Sequence, residues 1–275
     1  MNIRCKSMLG TYHSWAITIR NLLTQFQNQG HSLYLDSING DAEMPKKLKH
    51  RLNKKADEYA LDLTYTMPRN FQSRFDKNSK LKMAIYNYET EKLPKMWANS
   101  FKDLDYVLPS SNFSKQIFVD AGWPEEKCIV VPHGINLEEY QSDEKLKLNT
   151  QKTFKFLNVS IPHYRKNVDL LIEAYYSVFS AEDDVCLVLK TDLKKPAGRK
   201  LYDFEINLKQ EILMLQSKYV NKIGGLPQIE IIQDKIPNMV SLYKSCDVLV
   251  NSASSEGFGL PLLEGLASGN LIVAP

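Results

Sequence analysis

Residues Val185–Lys190, VCLVLK, form an apolar run closed by a single lysine. A strand with one wet face alternates apolar and polar residues. An unbroken run of branched and aliphatic side chains instead fits a strand buried on both faces, as in a parallel sheet covered by helices. The neighbouring segments agree. Phe154–Ser160 reads as a strand. Val168, Leu171, Ile172, Tyr175 and Phe179 then fall at i, i+3, i+4, i+7 and i+11, the spacing of an amphipathic helix. Beyond the run come a helix over 201–219, a strand Ile229–Ile232, a short helix Met239–Lys244 and a strand Asp247–Asn251. A helix Pro261–Ala267 follows, with Pro261 in the first turn where its missing N–H costs nothing. Ser268-Gly269 ends it, and Leu271–Ala274 begins another strand. Strand and helix alternate throughout, which predicts a doubly wound α/β sheet.

The first half carries the same alternation more faintly. Asn2–Met8 is a strand that ends at Gly10. Ser14 is the expected N-cap of a helix over 15–28, with Ile19, Leu22, Leu23 and Phe26 inward. Strands follow at Ser32–Asp36, Lys82–Tyr86 and Tyr106–Pro109. A helix over Ser110–Val119 turns Ile117 and Phe118 inward, with Asn112 as its turn and cap residue. Val130–Pro132 is expected as the last strand, closed by His133-Gly134. Residues 138–153 are polar and without periodicity, so they are expected to link a domain over 1–137 to one over 154–275. Pro275 follows directly on an apolar strand, so the second domain is expected to be truncated.

Composition narrows the class. A chain of 275 residues is long enough for two domains of roughly 100–150 residues. With 43% apolar and 24% charged residues it is neither disordered nor a disulfide-built miniprotein. A net charge of +3 is too small to argue for nucleic acid. No apolar run approaches the ~18–20 residues that span a bilayer, and Met1–Gly10 lacks the apolar stretch of a secretory leader. Cys5, Cys128, Cys186 and Cys246 are far apart and read as buried thiols of a cytoplasmic protein. One local exception is the cationic stretch 45–55, PKKLKHRLNKK. It reads first as a solvated face. The alternative is a patch that touches anionic lipid head groups at a membrane surface.

The densest functional signal is residues 251–269, NSASSEGFGLPLLEGLASG. A strand runs into a loop with Gly257 and Gly259 and then into a helix. Such a turn offers free backbone N–H groups and a helix dipole to an anion such as a diphosphate. Glu256 in the loop and Glu264, expected in the helix's first turn, are separated by seven residues. Carboxylates in such a crevice accept hydrogen bonds from hydroxyls, so a sugar and a ribose are their natural partners. The bland alternative is a tight strand–helix turn with two solvated glutamates.

EGFGLPLLE resembles the Glu-x7-Glu motif of retaining glycosyltransferases of the GT-B fold, family 4. CDVLVNSASSEGFGLPLLEGLASGNLIVAP is similar to that family's nucleotide-sugar site. VPHGINLEEY resembles the segment leading into its second domain, and FLNVSIPHYRKNVDLLIEAY the strand–loop–helix that opens that domain. The resemblance implies two Rossmann-like domains facing across a cleft. It implies that Glu256 contacts the donor sugar beside the anomeric centre, with backbone N–H groups around Gly257, Phe258, Gly259 and Leu260 on the sugar and diphosphate. Glu264 would bind the ribose. Lys166, with Arg165, would neutralise the leaving diphosphate, where fixed positive charge stabilises the transition state. The Arg that many members carry five residues before this Lys is Ile161 here, and Pro162–Asn167 fits the Pro-x-x-Arg-Lys-Asn loop of a subset.

Gly10 resembles the loop glycine after the family's first strand, which faces the donor. His13 lies nearby, and a lone His is more often structural. The place where many members carry a His after a middle strand corresponds to residues 86–91, YNYETE, so Asn87 or Glu89 takes that place. His31, His50, His133 and His163 show no metal-ligand spacing. The expected function is therefore transfer of a sugar from a UDP- or GDP-linked donor to a hydroxyl of a glycan or lipid-linked acceptor, without metal or other cofactor. A sugar-nucleotide epimerase or phosphorylase on the same fold, and a non-catalytic nucleotide-sugar-binding module, are the competing readings.

Overall fold

The computed structural model describes residues 1–191 and 207–275. The chain divides into two compact units. One comprises Met1–Asn136 with Glu256–Phe258, the other Leu137–Ser255 with Gly259–Pro275.

The first unit is built on a parallel sheet in the order β2-β1-β3-β4-β5. Its strands are β1 (Asn2–Ser7), β2 (Ser32–Ser37), β3 (Leu61–Tyr65), β4 (Lys82–Ile85) and β5 (Tyr106–Leu108). Helices α1 (Ser14–Asn28), α2 (Lys46–Lys49) and α3 (Asn112–Asp120) complete it. Ile3, Cys5, Leu33, Leu35 and Leu63 of the sheet pack with Ile19 and Leu23 of α1. A second cluster joins Phe101, Val107, Phe118 and Tyr86.

Four local expectations change here. Strand β3 has no counterpart in the sequence reading, because Asp62 interrupts its apolar pattern. That aspartate is fully buried against Arg4 of β1. Val130–Pro132 is not a strand. Ile129 N–H donates to Val107 O at 3.1 Å and Val131 N–H to Pro109 O at 2.8 Å, but Pro132 has no N–H with which to continue. The cap of α1 is His13, whose Nδ1 accepts from Trp15 N–H, and not Ser14, which begins the helix. The cap of α3 is Ser111, whose Oγ accepts from Ser114 N–H, and not Asn112.

In the cationic stretch, Leu48 is fully buried and Leu52 packs on the same core. Lys46, Lys47, Lys54 and Lys55 are exposed. Among the described residues no helix is long and apolar enough to cross a membrane.

The second unit repeats the architecture in the order β10-β9-β6-β7-β8, again parallel. Its strands are β6 (Phe154–Val159), β7 (Val185–Lys190), β8 (Gln228–Ile232), β9 (Val248–Val250) and β10 (Leu271–Val273). Its helices are α4 (Val168–Val178), α5 (Leu208–Lys218), α6 (Met239–Tyr243) and α7 (Leu260–Ser268). The run that began the sequence reading is the buried strand β7: Cys186, Leu187, Val188 and Leu189 have no exposed surface. The expected helix over 201–219 is seen from Leu208, and its first residues, 201–206, lie outside the described residues.

Residues 138–153, expected as a linker, pack into this unit. Tyr140 and Leu148 are buried, and the N–H groups of Asn149 and Thr150 both donate to the Glu230 carboxylate at 2.9 Å. The alternation of Leu146, Leu148 and Thr150 is the signal that marks this strap.

Candidate functional site

In an open parallel sheet, ligands bind beyond the carboxyl ends of the strands where the strand order reverses. In the second unit that reversal lies between β6 and β9, and the loops that leave these two strands carry the densest sequence signal. After β6, the chain forms a tight turn over Tyr164–Lys166, capped by His163 Nδ1, which accepts from Arg165 N–H at 3.2 Å. Asn167 then adopts a left-handed conformation, φ 47°, and turns the chain into α4. Asparagine tolerates this conformation better than other residues with a side chain.

Several hydrogen bonds knit this turn to the loop after β9. Ser254 N–H donates to Arg165 O at 2.8 Å, Ser252 Oγ to Lys166 O at 2.8 Å, and Asn167 Nδ2 to Ser252 O at 3.0 Å. Arg165 Nη1 donates to Ser255 O at 2.9 Å. The serine-rich approach is therefore a set of hydrogen-bonding partners for the Arg165–Asn167 backbone, and Arg165 itself clasps the loop. The two loops form one polar structure at the switch point, with Lys166 within it.

Glu256, Gly257 and Phe258 continue the loop to Gly259. Gly259 caps α7 with φ 78°, a conformation that a side chain would strain. Leu260 begins α7 and Pro261 is its second residue. Glu264 is thus the fifth helical residue, in the second turn and not the first as expected, because α7 starts one residue earlier than the sequence reading. Its carboxylate is partly buried. Oε2 accepts from Tyr243 Oη of α6 at 2.7 Å, and the Tyr140 hydroxyl binds the same carboxylate. Burial raises its pKa, and the two phenols, donating to the charged form, oppose that rise. Neither tyrosine was expected here. In sequence Tyr243 lies in an expected short helix and Tyr140 in the expected linker, and nothing local ties either to a glutamate.

The first unit's sheet reverses between β1 and β3. Gly10 lies just past β1. A Cβ there would meet Gly40 O at 2.2 Å, so only glycine allows this approach. The Gly10 N–H donates to Asn39 Oδ1 at 3.1 Å, and Arg20 Nη1 ties the carbonyls of Leu9 and Thr11 at 2.7 and 2.6 Å. His13, beside it, caps α1 and meets Trp15 edge-on. Asn87, two residues past β4, is buried. Its Nδ2 lies 2.8 Å from His133 Nε2 and 3.2 Å from Tyr65 Oη. His133 had no assigned role in sequence, and only the fold brings it to Asn87. Among the described residues no group of three or more His, Cys, Asp or Glu is arranged to hold a metal.

Two parallel α/β units of this kind define the GT-B glycosyltransferase fold. Residues 140–274, just under half of the chain, match the family model described as glycosyl transferases group 1. The match covers the second unit almost completely. The chain is 27% identical over 190 residues, 62% of its length, to the alpha-monoglucosyldiacylglycerol synthase of Streptococcus pneumoniae. It is 25% identical over 174 residues, 60% of its length, to the uncharacterized glycosyltransferase 335 of Sulfolobus islandicus rod-shaped virus 1. These matches span 37% and 46% of the two relatives' own lengths. Among solved structures, HepE of Anabaena in complex with UDP and glucose superimposes over 100% of this chain and 80% of its own, with a TM-score of 0.66 at 14% identity.

Proposed function

We propose that the protein transfers a sugar from a nucleoside-diphosphate donor to a hydroxyl, retaining the anomeric configuration, as a hexosyltransferase of family 4. The observation that carries this reading is the knitted pair of loops at the switch point of the second unit. It joins the Arg165–Lys166 turn to the loop that leads into Glu256 and α7. The match to group 1 glycosyltransferases over the same residues supports it, and the UDP bound to HepE favours a UDP-linked donor.

In the reaction, the bond between the anomeric carbon and the phosphate oxygen breaks, and its electron pair leaves with the diphosphate. Lys166 stabilises that negative charge in the transition state, with Arg165 holding the loop. The acceptor oxygen attacks the same face of the oxocarbenium-like carbon and gives its proton to the departing phosphate. Glu256 positions the sugar hydroxyls. Glu264, set by Tyr243 and Tyr140, accepts from the ribose. Backbone N–H groups from Gly257 to Leu260 hold the diphosphate. The exposed lysines of 45–55 suit an acceptor presented at the inner face of a membrane. The lipid product named for the pneumococcal relative favours a lipid-linked acceptor over a soluble glycan.

Calorimetric titration with UDP, GDP and their sugar conjugates tests the donor site. The expected result is binding of one nucleotide, weakened at least about tenfold, or ~1.4 kcal/mol, by Lys166→Ala and by Glu264→Ala. Equal affinity in both variants and the parent chain would overturn the assignment.

A further inference from the structure

The turn that carries Lys166 is tied down on both sides of that residue. Arg165 O accepts from Ser254 N–H at 2.8 Å, and Lys166 N–H donates to His163 O at 2.8 Å. Lys166 O accepts from Ser252 Oγ at 2.8 Å, and Asn167 N–H donates to Tyr164 O at 3.1 Å. Both peptide groups that flank the Lys166 Cα are thus held at oxygen and at nitrogen, so the side chain grows from a fixed root. The peptide before them is held by the His163 ring, whose Nδ1 accepts from Arg165 N–H at 3.2 Å. All of these groups belong to the second unit.

Chemistry fixes the direction of that last bond. A backbone N–H only donates, so Nδ1 must present its lone pair, and the ring is neutral with its proton on Nε2. An imidazolium would set N–H against N–H. Most residues that close a turn in this way are Ser, Thr, Asn or Asp. An aspartate at 163 would put a carboxylate three residues before Lys166 on one 3₁₀ turn, where side chains at that spacing stand one above the other. A neutral imidazole closes the turn and brings no anion.

We infer that His163 is a positioning residue for Lys166: its neutral ring holds the turn that aims the ammonium group at the donor's diphosphate, without adding a carboxylate that would compete for that charge. The inference rests on the role proposed above for Lys166. It gives His163 no contact with substrate, so its effect must pass through the lysine.

Titration of the full chain with UDP by calorimetry, and with uridine by NMR, reads the phosphate contact apart from the rest of the site. His163→Ala should weaken UDP about 5- to 20-fold and leave uridine within about twofold, since only the phosphates meet Lys166. His163→Asn keeps a neutral acceptor for the Arg165 N–H and should bring UDP back to within about threefold of the parent chain. His163→Asp also closes the turn, but its charge draws Lys166 away, and UDP should bind at least about fivefold more weakly than to the asparagine variant. In a Lys166→Ala background, His163→Ala should cost less than about twofold more. Long-range ¹⁵N–¹H spectra should show a bare Nδ1 and a protonated Nε2 on His163. Equal losses of UDP and uridine, additive losses in the double variant, or a proton on Nδ1 would each overturn the inference. If Lys166→Ala weakens UDP and His163→Ala does not, the inference falls and the donor site stands. If Lys166→Ala leaves UDP affinity unchanged, the role of the lysine falls and takes the inference with it.

Discussion

Replacing Asp62 by Ala is expected to destabilise the first unit by about 3–5 kcal/mol. The side chain has no exposed surface, and its carboxylate receives Arg4 Nη1 on both oxygens at 3.0 and 2.8 Å. Asp76 N–H at 2.7 Å and Ser79 Oγ at 2.9 Å donate to it as well. Arg4, only 8% exposed, gives its other bonds to Arg74 O at 2.7 Å and Asp36 Oδ2 at 2.9 Å. Removing the carboxylate leaves a guanidinium in the interior with the Arg74 carbonyl and one charged partner, Asp36, whose side chain is 39% exposed. It also orphans a backbone N–H, itself worth about 1–3 kcal/mol. These costs overlap, and their sum is a third or more of the ~5–15 kcal/mol that holds a typical domain. The double variant Arg4→Met, Asp62→Leu removes both charges together, and an apolar pair of similar volume should cost no more than about 2 kcal/mol. All three tryptophans, Trp15, Trp97 and Trp123, lie in the first unit. Their fluorescence in a urea titration therefore follows that unit alone. A loss below about 1 kcal/mol for Asp62→Ala, or a double variant whose loss equals the sum of the singles, would refute the argument.

Two further substitutions test the loops beside the switch points. Gly10→Ala puts a methyl 2.2 Å from the Gly40 carbonyl oxygen, a backbone atom held by its own contacts. It should cost about 2–3 kcal/mol by tryptophan fluorescence, and an unchanged urea midpoint would mean the approach is looser than the structure has it. Asn167→Gly keeps the left-handed backbone and loses the bond to Ser252 O, whereas Asn167→Ala loses both. Hydrogen exchange at the Ser254 amide, which donates to Arg165 O, should quicken further in the alanine variant by about 1–2 kcal/mol of lost protection. Equal exchange in the two variants would sink the role given to the φ of Asn167.

The second unit is more legible in sequence than the first, and the reason is chemical. Its central signal is β7, which shows as an unbroken apolar run because both its faces are covered. The turn into α7 shows because glycine and proline act through their own backbones, so Gly259 and Pro261 announce the helix start within a residue. The first unit hides its middle strand behind Asp62. A charge in a strand ordinarily signals solvent, and only the arginine 58 residues earlier makes it an interior residue. Caps fail in the same way. His13 and Ser111 do the capping, each one residue before the expected Ser14 and Asn112, because a cap is defined by the φ and ψ that precede the helix and not by residue type alone.

The polar residues that escaped the sequence reading share one property, which is that each takes its meaning from a partner far along the chain. Asp62 answers Arg4, His133 answers Asn87 at a separation of 46 residues, and Tyr243 answers Glu264 at 21. A motif such as Glu256 to Glu264 is visible because its parts lie on one turn and one helix. What it cannot show is which atoms of those carboxylates are already engaged. Tyr243 and Tyr140 turn Glu264 from a solvated glutamate into an oriented one, as Asn87 fixes the His133 ring through Nε2. In both cases the orienting group is buried and hydrogen-bonded, so its rotamer is held before any ligand arrives. Side chains fixed in this way hold substrate atoms at low entropic cost, and for the same reason a single substitution among them leaves a buried group without its partner.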